Sequence, residues 1–140
     1  MNTNTGAKVV KAVSWILILY ALIWGSAAYP PFDTPARILL DILAWPYGDG
    51  RPDWGENIMW MSSIGAGLLM AFGMLFLLVL TPAIARNDRQ TVRNFVLAII
   101  GWFVIDSIGS IASGFTANAV INAITLVPLL VPLLLIKWEA

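Results

Sequence analysis

Three long stretches of the chain carry no charged residue, and they constrain the fold more than any other feature of the sequence. They cover residues 12–32, 57–85 and 107–136, which are 21, 29 and 30 residues long. A helix that crosses a membrane needs about 20 consecutive apolar residues, so each stretch is long enough to cross one. Charged residues make up 11% of the chain, against roughly 25% in a typical soluble domain. The sequence therefore indicates a membrane protein.

These stretches and the turn residues between them predict an all-α, integral membrane four-helix bundle that forms a single domain over residues 1–140. The four spans are expected at about 7–28, 57–84, 91–113 and 118–138. The first segment could alternatively be a secretory signal peptide, because small residues follow it. Its length and the presence of Trp24 favour a retained span.

A short amphipathic helix is expected at about 35–45, between the first and second spans. Thr34 and Pro35 are typical residues for a helix start. One helix face would then carry the apolar side chains of Ile38, Leu39, Ile42 and Leu43. Such a helix would lie in the membrane interface, either as a cap on the bundle or as a contact for lipids or a partner.

Basic residues and tryptophans predict the orientation of the spans. Lysine and arginine gather at the N-terminus, between the second and third spans, and in the tail, which places both termini in the cytoplasm. We therefore expect a multi-pass protein of the bacterial inner (cytoplasmic) membrane, in contact with membrane lipids. The expected interfacial anchors are Trp24, Trp45, Trp54 and Trp138.

The composition excludes several functional classes. The chain has no cysteine and no histidine, so it cannot supply the thiolate or imidazole ligands of ordinary haem, iron–sulfur, zinc or blue-copper sites, and no metal or cofactor is expected. Cysteine nucleophiles and histidine-based triads are excluded for the same reason. Eight basic and eight acidic residues balance, which gives no indication of a nucleic-acid partner.

Asp106 is the one ionisable residue deep within a predicted span. An acid there is costly unless it is neutral, paired or hydrated. Asn118, Asn122 and Thr125 form a stripe on the fourth span. If the hairpin folds about residue 115, Asp106 lies level with Thr125, and Ser110 lies level with Asn122. The candidate intramembrane polar site is thus Asp106, Ser110, Asn122 and Thr125.

This polar site has two interpretations, which the sequence leaves open. Membrane acids of this kind mark proton relays and ligand pathways. Hydrogen bonds between polar side chains also hold membrane helices together without any further function. A neutral Asp106 carboxyl that donates to Asn122 or Thr125 would fit the second interpretation.

Small residues at helical spacing predict close helix packing, either within the chain or against another chain. The candidate packing face comprises Gly65, Gly67, Ala71, Gly101, Gly109 and Ser113. Trp102 lies one turn from Asp106, where it could fill a helix interface or contact a pigment, quinone or lipid.

Two segments carry a resemblance to known proteins. The stretches SSIGAGLL (62–69) and WFVIDSIGSIASG (102–114) resemble a family of small, functionally uncharacterised bacterial inner-membrane proteins with four spans. The resemblance implies a natural bacterial protein and supports the number of spans. It implies no activity, ligand or partner.

Together these features favour a non-enzymatic accessory or structural subunit that packs against, or helps to assemble, a larger membrane complex. A respiratory or photosynthetic energy-converting complex is the expected kind. Its partners would be other integral membrane proteins, which would dock on the small-residue faces and the short outer helix. The alternative is a small transporter, channel or lipid-binding protein that uses the Asp106 cluster.

Overall fold

The computed structural model describes residues 1–44 and 55–138. Within these ranges the chain forms five helices and no strand. The helices are α1 (Thr3–Gly25), α2 (Thr34–Ala44), α3 (Glu56–Ala85), α4 (Arg89–Ala112) and α5 (Thr116–Leu134). By length and composition, α1, α3, α4 and α5 can each cross a membrane. The expected all-α class and the four long apolar helices are confirmed, as in a multi-pass membrane protein.

Helix α1 begins earlier than the apolar segment suggests, and α5 ends earlier. Asn2 caps α1 because its side chain accepts a hydrogen bond from the Thr5 amide at 2.8 Å. The chain leaves α5 after Leu134, four residues before the expected boundary at 138. There the amide of Lys137 donates to the Met1 carbonyl at 2.8 Å, and the Met1 amino group donates to the Leu135 carbonyl at 2.6 Å. The two ends of the described chain are therefore joined.

Helix α3 contains one wide turn, the π-helical segment Phe76–Leu80. Pro82 follows it, and proline cannot donate to the carbonyl four residues before it, so the regular α-helical pattern is interrupted. The Thr81 backbone amide and the Thr81 hydroxyl both donate to the Phe76 carbonyl, the hydroxyl at 2.9 Å. The Phe76 and Leu80 side chains are both buried.

Helices α1 and α3 approach each other closely at two glycines. A Cβ atom on Gly73 would lie 2.9 Å from Cγ1 and 3.2 Å from the backbone nitrogen of Ile18. A Cβ atom on Gly65 would collide with the indole ring of Trp24. Glycine at these two positions lets the α1 backbone lie against α3.

The buried core lies toward the end of the molecule that holds both termini and the connection between α3 and α4. Its members come from all four long helices and from the tail: Ala7, Val10, Leu17, Phe76, Leu80, Ile84, Val92, Ile99, Leu129, Leu133 and Ile136. Trp138 packs against this core, and the Arg89 guanidinium lies over its ring at 5.9 Å.

Helix α2 contacts α1 and α5. It begins at Thr34, and the Asp33 carboxylate preceding it pairs with Arg37 at 2.6 Å. Ala36 is fully buried, whereas Ile38 and Ile42 are 57% and 54% exposed. Helix α2 therefore buries Ala36 and turns the two isoleucines away from the described part of the chain. Its expected position in the membrane interface stays a prediction.

The long helices form two pairs, α1 with α3 and α4 with α5. The pairs meet around the core, where the Phe76–Leu80 and Thr81–Ala85 segments of α3 contact α4. In contrast, no described Cα atom of Glu56–Leu75 lies within 8 Å of one in α4 or α5. The two pairs thus separate toward the end opposite the termini.

Candidate functional site

A cavity of about 780 Å³ lies between the two separated helix pairs. One wall consists of α1 and α3, the other of α4 and α5, and Leu43 of α2 contributes at its rim. Small-molecule sites in proteins usually have volumes of about 300–1,000 Å³ and are mostly apolar with a few polar groups. The cavity has both the size and the lining of such a site.

The wall from α4 and α5 carries a hydrogen-bonded polar cluster around Asp106. The Asn118 side-chain amide donates to Asp106 Oδ1 at 3.1 Å and to Ser110 Oγ at 2.7 Å. The Ser110 hydroxyl lies 2.7 Å from the Asp106 carbonyl oxygen and 3.2 Å from Oδ1 of the same residue. All three residues line the cavity and are partly buried. We name Asp106, Ser110 and Asn118 the acidic cluster.

A second polar contact joins α4 to α5 beside the acidic cluster. The buried Asn122 amide lies 3.4 Å from the Ser107 hydroxyl, which accepts the bond. Thr125 also lines the cavity. The expected pairing of Asp106 with Asn122 or Thr125, and of Ser110 with Asn122, is therefore wrong. The partner of both Asp106 and Ser110 is Asn118.

The tight connection between α4 and α5 explains this difference in register. Gly114 adopts a left-handed conformation with φ of 87°, and the Phe115 amide donates to the Ser110 carbonyl at 2.8 Å. Helix α5 then begins at Thr116. The hairpin turns about Gly114 rather than about residue 115, so the residues four positions away on each side, Ser110 and Asn118, lie level. Asp106 lies one turn further along α4, on the same face as Ser110, and its side chain also contacts Asn118.

The wall from α1 and α3, extended by Trp102 of α4, is aromatic and apolar. The rings of Tyr20 and Trp24 lie 6.5 Å apart, and those of Phe72 and Trp102 lie 6.4 Å apart. All four side chains line the cavity. Trp102 also packs partly against the core, so it contacts the helix interface as well as the cavity.

The small residues of the candidate packing face occupy three different environments. Gly65 lies in the contact between α1 and α3, against Trp24, and also lines the cavity. Gly109 and Ser113 line the cavity and are exposed there. Gly67, Ala71 and Gly101 are exposed outside it, and a Cβ atom on Gly67, Gly101 or Gly109 would meet nothing within 4 Å.

The proposed tryptophan anchors also differ in position. Trp24 lies against Gly65, and its Nε1 is buried without a hydrogen-bond partner among the described residues. Trp138 lies at the end of the molecule that holds the termini. Trp45 and Trp54 lie outside the described residues.

Sequence reasoning missed two contributors to the cavity. Tyr20 lies in the middle of an apolar segment, and no local pattern distinguishes it from a lipid-facing residue. Asn118 could be recognised as part of the polar stripe on α5, but its pairing depends on the hairpin register. The part of the chain that the structure describes contains no group of three or more acidic, histidine or cysteine side chains suited to a metal ion.

Comparisons with protein-family models, curated proteins and solved structures returned no match to this chain.

Proposed function

We propose that this chain is a multi-pass membrane protein that binds a small amphipathic molecule in the cavity between α1–α3 and α4–α5. The observation that carries the proposal is the cavity itself, in which the acidic cluster faces an aromatic wall. A polar head group would bond to the cluster while the apolar part of the ligand contacts the aromatic rings. This function belongs to the transporter, channel or lipid-binding class that the sequence offered as the alternative to an accessory subunit.

Helix association alone accounts for only part of this arrangement. The bonds from Asn118 to Asp106 and from Asn122 to Ser107 join α4 to α5, as expected of interhelical contacts. Such contacts do not require a cavity beside them. Here the acidic cluster remains partly exposed to a space large enough for a ligand, and this favours binding.

The proposal places the four long helices across a membrane as a bundle. Basic residues concentrate near the termini and the connection between α3 and α4: Lys8, Lys11, Arg86, Arg89, Arg93 and Lys137. The positive-inside tendency supports a cytoplasmic position for this end, in the bacterial inner membrane. The cavity would then lie toward the opposite side, near α2 and Gly114.

Binding can be tested with three probes of similar shape and different charge in nanodiscs of phosphatidylcholine. The probes are tetraphenylphosphonium (cationic), triphenylphosphine oxide (neutral) and tetraphenylborate (anionic). We expect at least one of them to bind saturably, at one molecule per chain, in equilibrium dialysis. The same dialysis with empty nanodiscs measures how much of each probe partitions into the lipid.

Two variants on α4 form a matched pair for this test. Gly109→Phe fills the cavity, whereas Gly101→Phe adds the same ring to the same helix outside it. We expect Gly109→Phe to abolish saturable binding and Gly101→Phe to retain it. Absence of saturable binding to the wild-type chain, or equal binding to both variants, would refute the proposed function.

The accessory-subunit hypothesis is a second candidate, and the exposed small residues on the outer surface favour it. Gly67 and Ala71, one turn apart on α3, leave space where a helix of another protein could lie. Extraction in mild detergent and measurement of the particle mass test this candidate. A stoichiometric association that Gly67→Phe disrupts would support it, and a monomer or small homo-oligomer in several detergents would contradict it.

A further inference from the structure

We infer that the cavity selects a lipophilic organic cation, with the Asp106 carboxylate as its counter-ion. This inference rests on the ligand-binding function proposed above and specifies the chemical class of the ligand. Its basis is the set of hydrogen bonds within the acidic cluster, the absence of basic side chains from the described lining of the cavity, and the aromatic rings that line it.

The donors of the acidic cluster are already used within the protein. The Asn118 amide nitrogen donates to Asp106 Oδ1 and to Ser110 Oγ, which engages both of its protons. The reverse orientation would place the amide oxygen against the carboxylate, so the carboxylate fixes the amide. The Ser110 hydroxyl has one proton, and both of its acceptors belong to Asp106. The cluster can therefore offer a ligand mainly oxygen acceptors.

One of these acceptors is unused. Asp106 Oδ2 accepts no hydrogen bond from the described residues, and it is not among their buried unpaired atoms. Since Asp106 lines the cavity, this oxygen is accessible to a ligand. Its ideal partner is a donor or a positive charge.

Among residues 1–44 and 55–138, no basic side chain is placed to neutralise Asp106. None of the described residues that line the cavity is lysine, arginine or histidine. Asp106 also forms no ion pair with the described basic residues. An ionised carboxylate within a membrane span is costly when it has no partner, and a cationic ligand would reduce that cost.

Aromatic rings on both sides of the cavity provide the second element of cation recognition: Tyr20 and Trp24 lie on α1, and Trp102 lies on α4, one turn from Asp106. The faces of tryptophan and tyrosine rings attract organic cations, as in the aromatic sites that bind quaternary ammonium groups. Tyr20, Trp24 and Trp102 line the cavity that Asp106 also lines. The Trp24 Nε1 is buried, so this residue offers a ligand its ring rather than its donor. The apolar substituents of a lipophilic cation would fill the remaining volume.

The three probes of similar shape test this inference in the wild-type chain, without any substitution. We expect tetraphenylphosphonium to bind at least tenfold more tightly than triphenylphosphine oxide, after correction for partition into empty nanodiscs. Tetraphenylborate should show no saturable binding, because the carboxylate repels it. If the neutral probe or the anion binds as tightly as the cation, the inference is overturned while the proposed function remains.

Substitutions then assign the selectivity to residues. Asp106→Asn should lower cation affinity at least tenfold and leave neutral-probe affinity within about twofold. Asp41→Asn, which removes a carboxylate from α2 outside the cavity, is the matched control and should change neither value. An Asp106→Asn chain that folds normally and keeps full cation affinity would overturn the inference.

Trp102→Leu provides a second variant that does not alter the carboxylate. It should weaken cation binding more than neutral binding, and an equal loss for the two probes would count against the aromatic contribution. If none of the three probes binds the wild-type chain saturably, both the inference and the proposed function fail. The two failures are therefore distinguishable.

Discussion

Gly73→Ala should be less stable than Gly67→Ala, although both glycines lie in α3 only six residues apart. At Gly67 a Cβ atom would meet nothing within 4 Å. At Gly73 it would lie 2.9 Å from Ile18 Cγ1, 3.2 Å from the Ile18 backbone nitrogen and 3.3 Å from Leu17 Cβ. The side-chain contact can relax by rotation, but the backbone contact requires α1 to move away from α3.

The magnitude follows from two opposing contributions. Replacement of glycine by alanine within a helix stabilises it by about 1 kcal/mol. Inserting a methyl group into a well-packed contact costs about 1–3 kcal/mol. We therefore expect Gly67→Ala to raise the free energy of unfolding by up to about 1 kcal/mol. Gly73→Ala should change it by between about 0 and −2 kcal/mol, which separates the variants by about 1–3 kcal/mol.

Reversible unfolding in mixed micelles of dodecyl maltoside and dodecyl sulfate, followed by tryptophan fluorescence, measures this difference. A double-mutant cycle with Ile18→Ala adds a direct test of the contact. Ile18→Ala removes the Cγ1 atom but keeps the backbone contact, so it should recover only part of the Gly73→Ala loss, with a coupling energy of at most about 1 kcal/mol. The reasoning is refuted if Gly73→Ala is as stable as Gly67→Ala, or if Ile18→Ala recovers the whole loss.

Three further predictions concern the α4–α5 hairpin and the start of α4. Gly114→Ala should lower stability by about 1 kcal/mol in the same assay because φ is 87°, and no loss would contradict the left-handed turn. Asn118→Ala should cost up to about 1.7 kcal/mol and Thr125→Val less than about 0.5 kcal/mol, whereas the reverse order would indicate the other hairpin register. Hydrogen bonds from the Thr91 hydroxyl and amide lower the pKa of Asp88 below its ordinary value of 3.8. The ionised Asp88 therefore stabilises the folded state fully above that value, and this stabilisation is lost as the pH falls through the lower folded-state pKa. Asp88→Asn should therefore remove part of the loss of stability below about pH 4. The measurement is the free energy of unfolding of the wild type minus that of the variant at each pH, and a difference that does not change with pH would contradict the prediction.

The helical elements could be predicted from the sequence because their signals are local. Uncharged runs indicate the long helices, since a membrane-spanning segment must avoid charge over its whole length. Pro35 correctly indicates the start of α2. The limits of α1 and α5 were less predictable, because Asn2 and the bonds between Met1 and the tail lie outside the apolar segments.

The candidate site could be predicted only in part. Asp106 and Ser110 were identifiable because polar side chains are conspicuous in an apolar span, and both line the cavity. Their partner was predicted wrongly, because a small shift of the turn between α4 and α5 changes which residues of the two helices lie opposite each other. Tyr20 and Trp24 could not be assigned to the site, since they reach it only through the contact between α1 and α3.

The sequence by itself determined that this chain is helical, that four of its helices can cross a membrane, and that one acid lies among apolar residues. Charge and hydropathy are properties of single residues and their neighbours, so they can be read without the fold. Only the tertiary structure decided that Asn118 bonds to Asp106 and that an aromatic wall faces this acid across a cavity. Those relations join residues on different helices, and they depend on the turn at Gly114, the close approach at Gly73, and the separation of the two helix pairs.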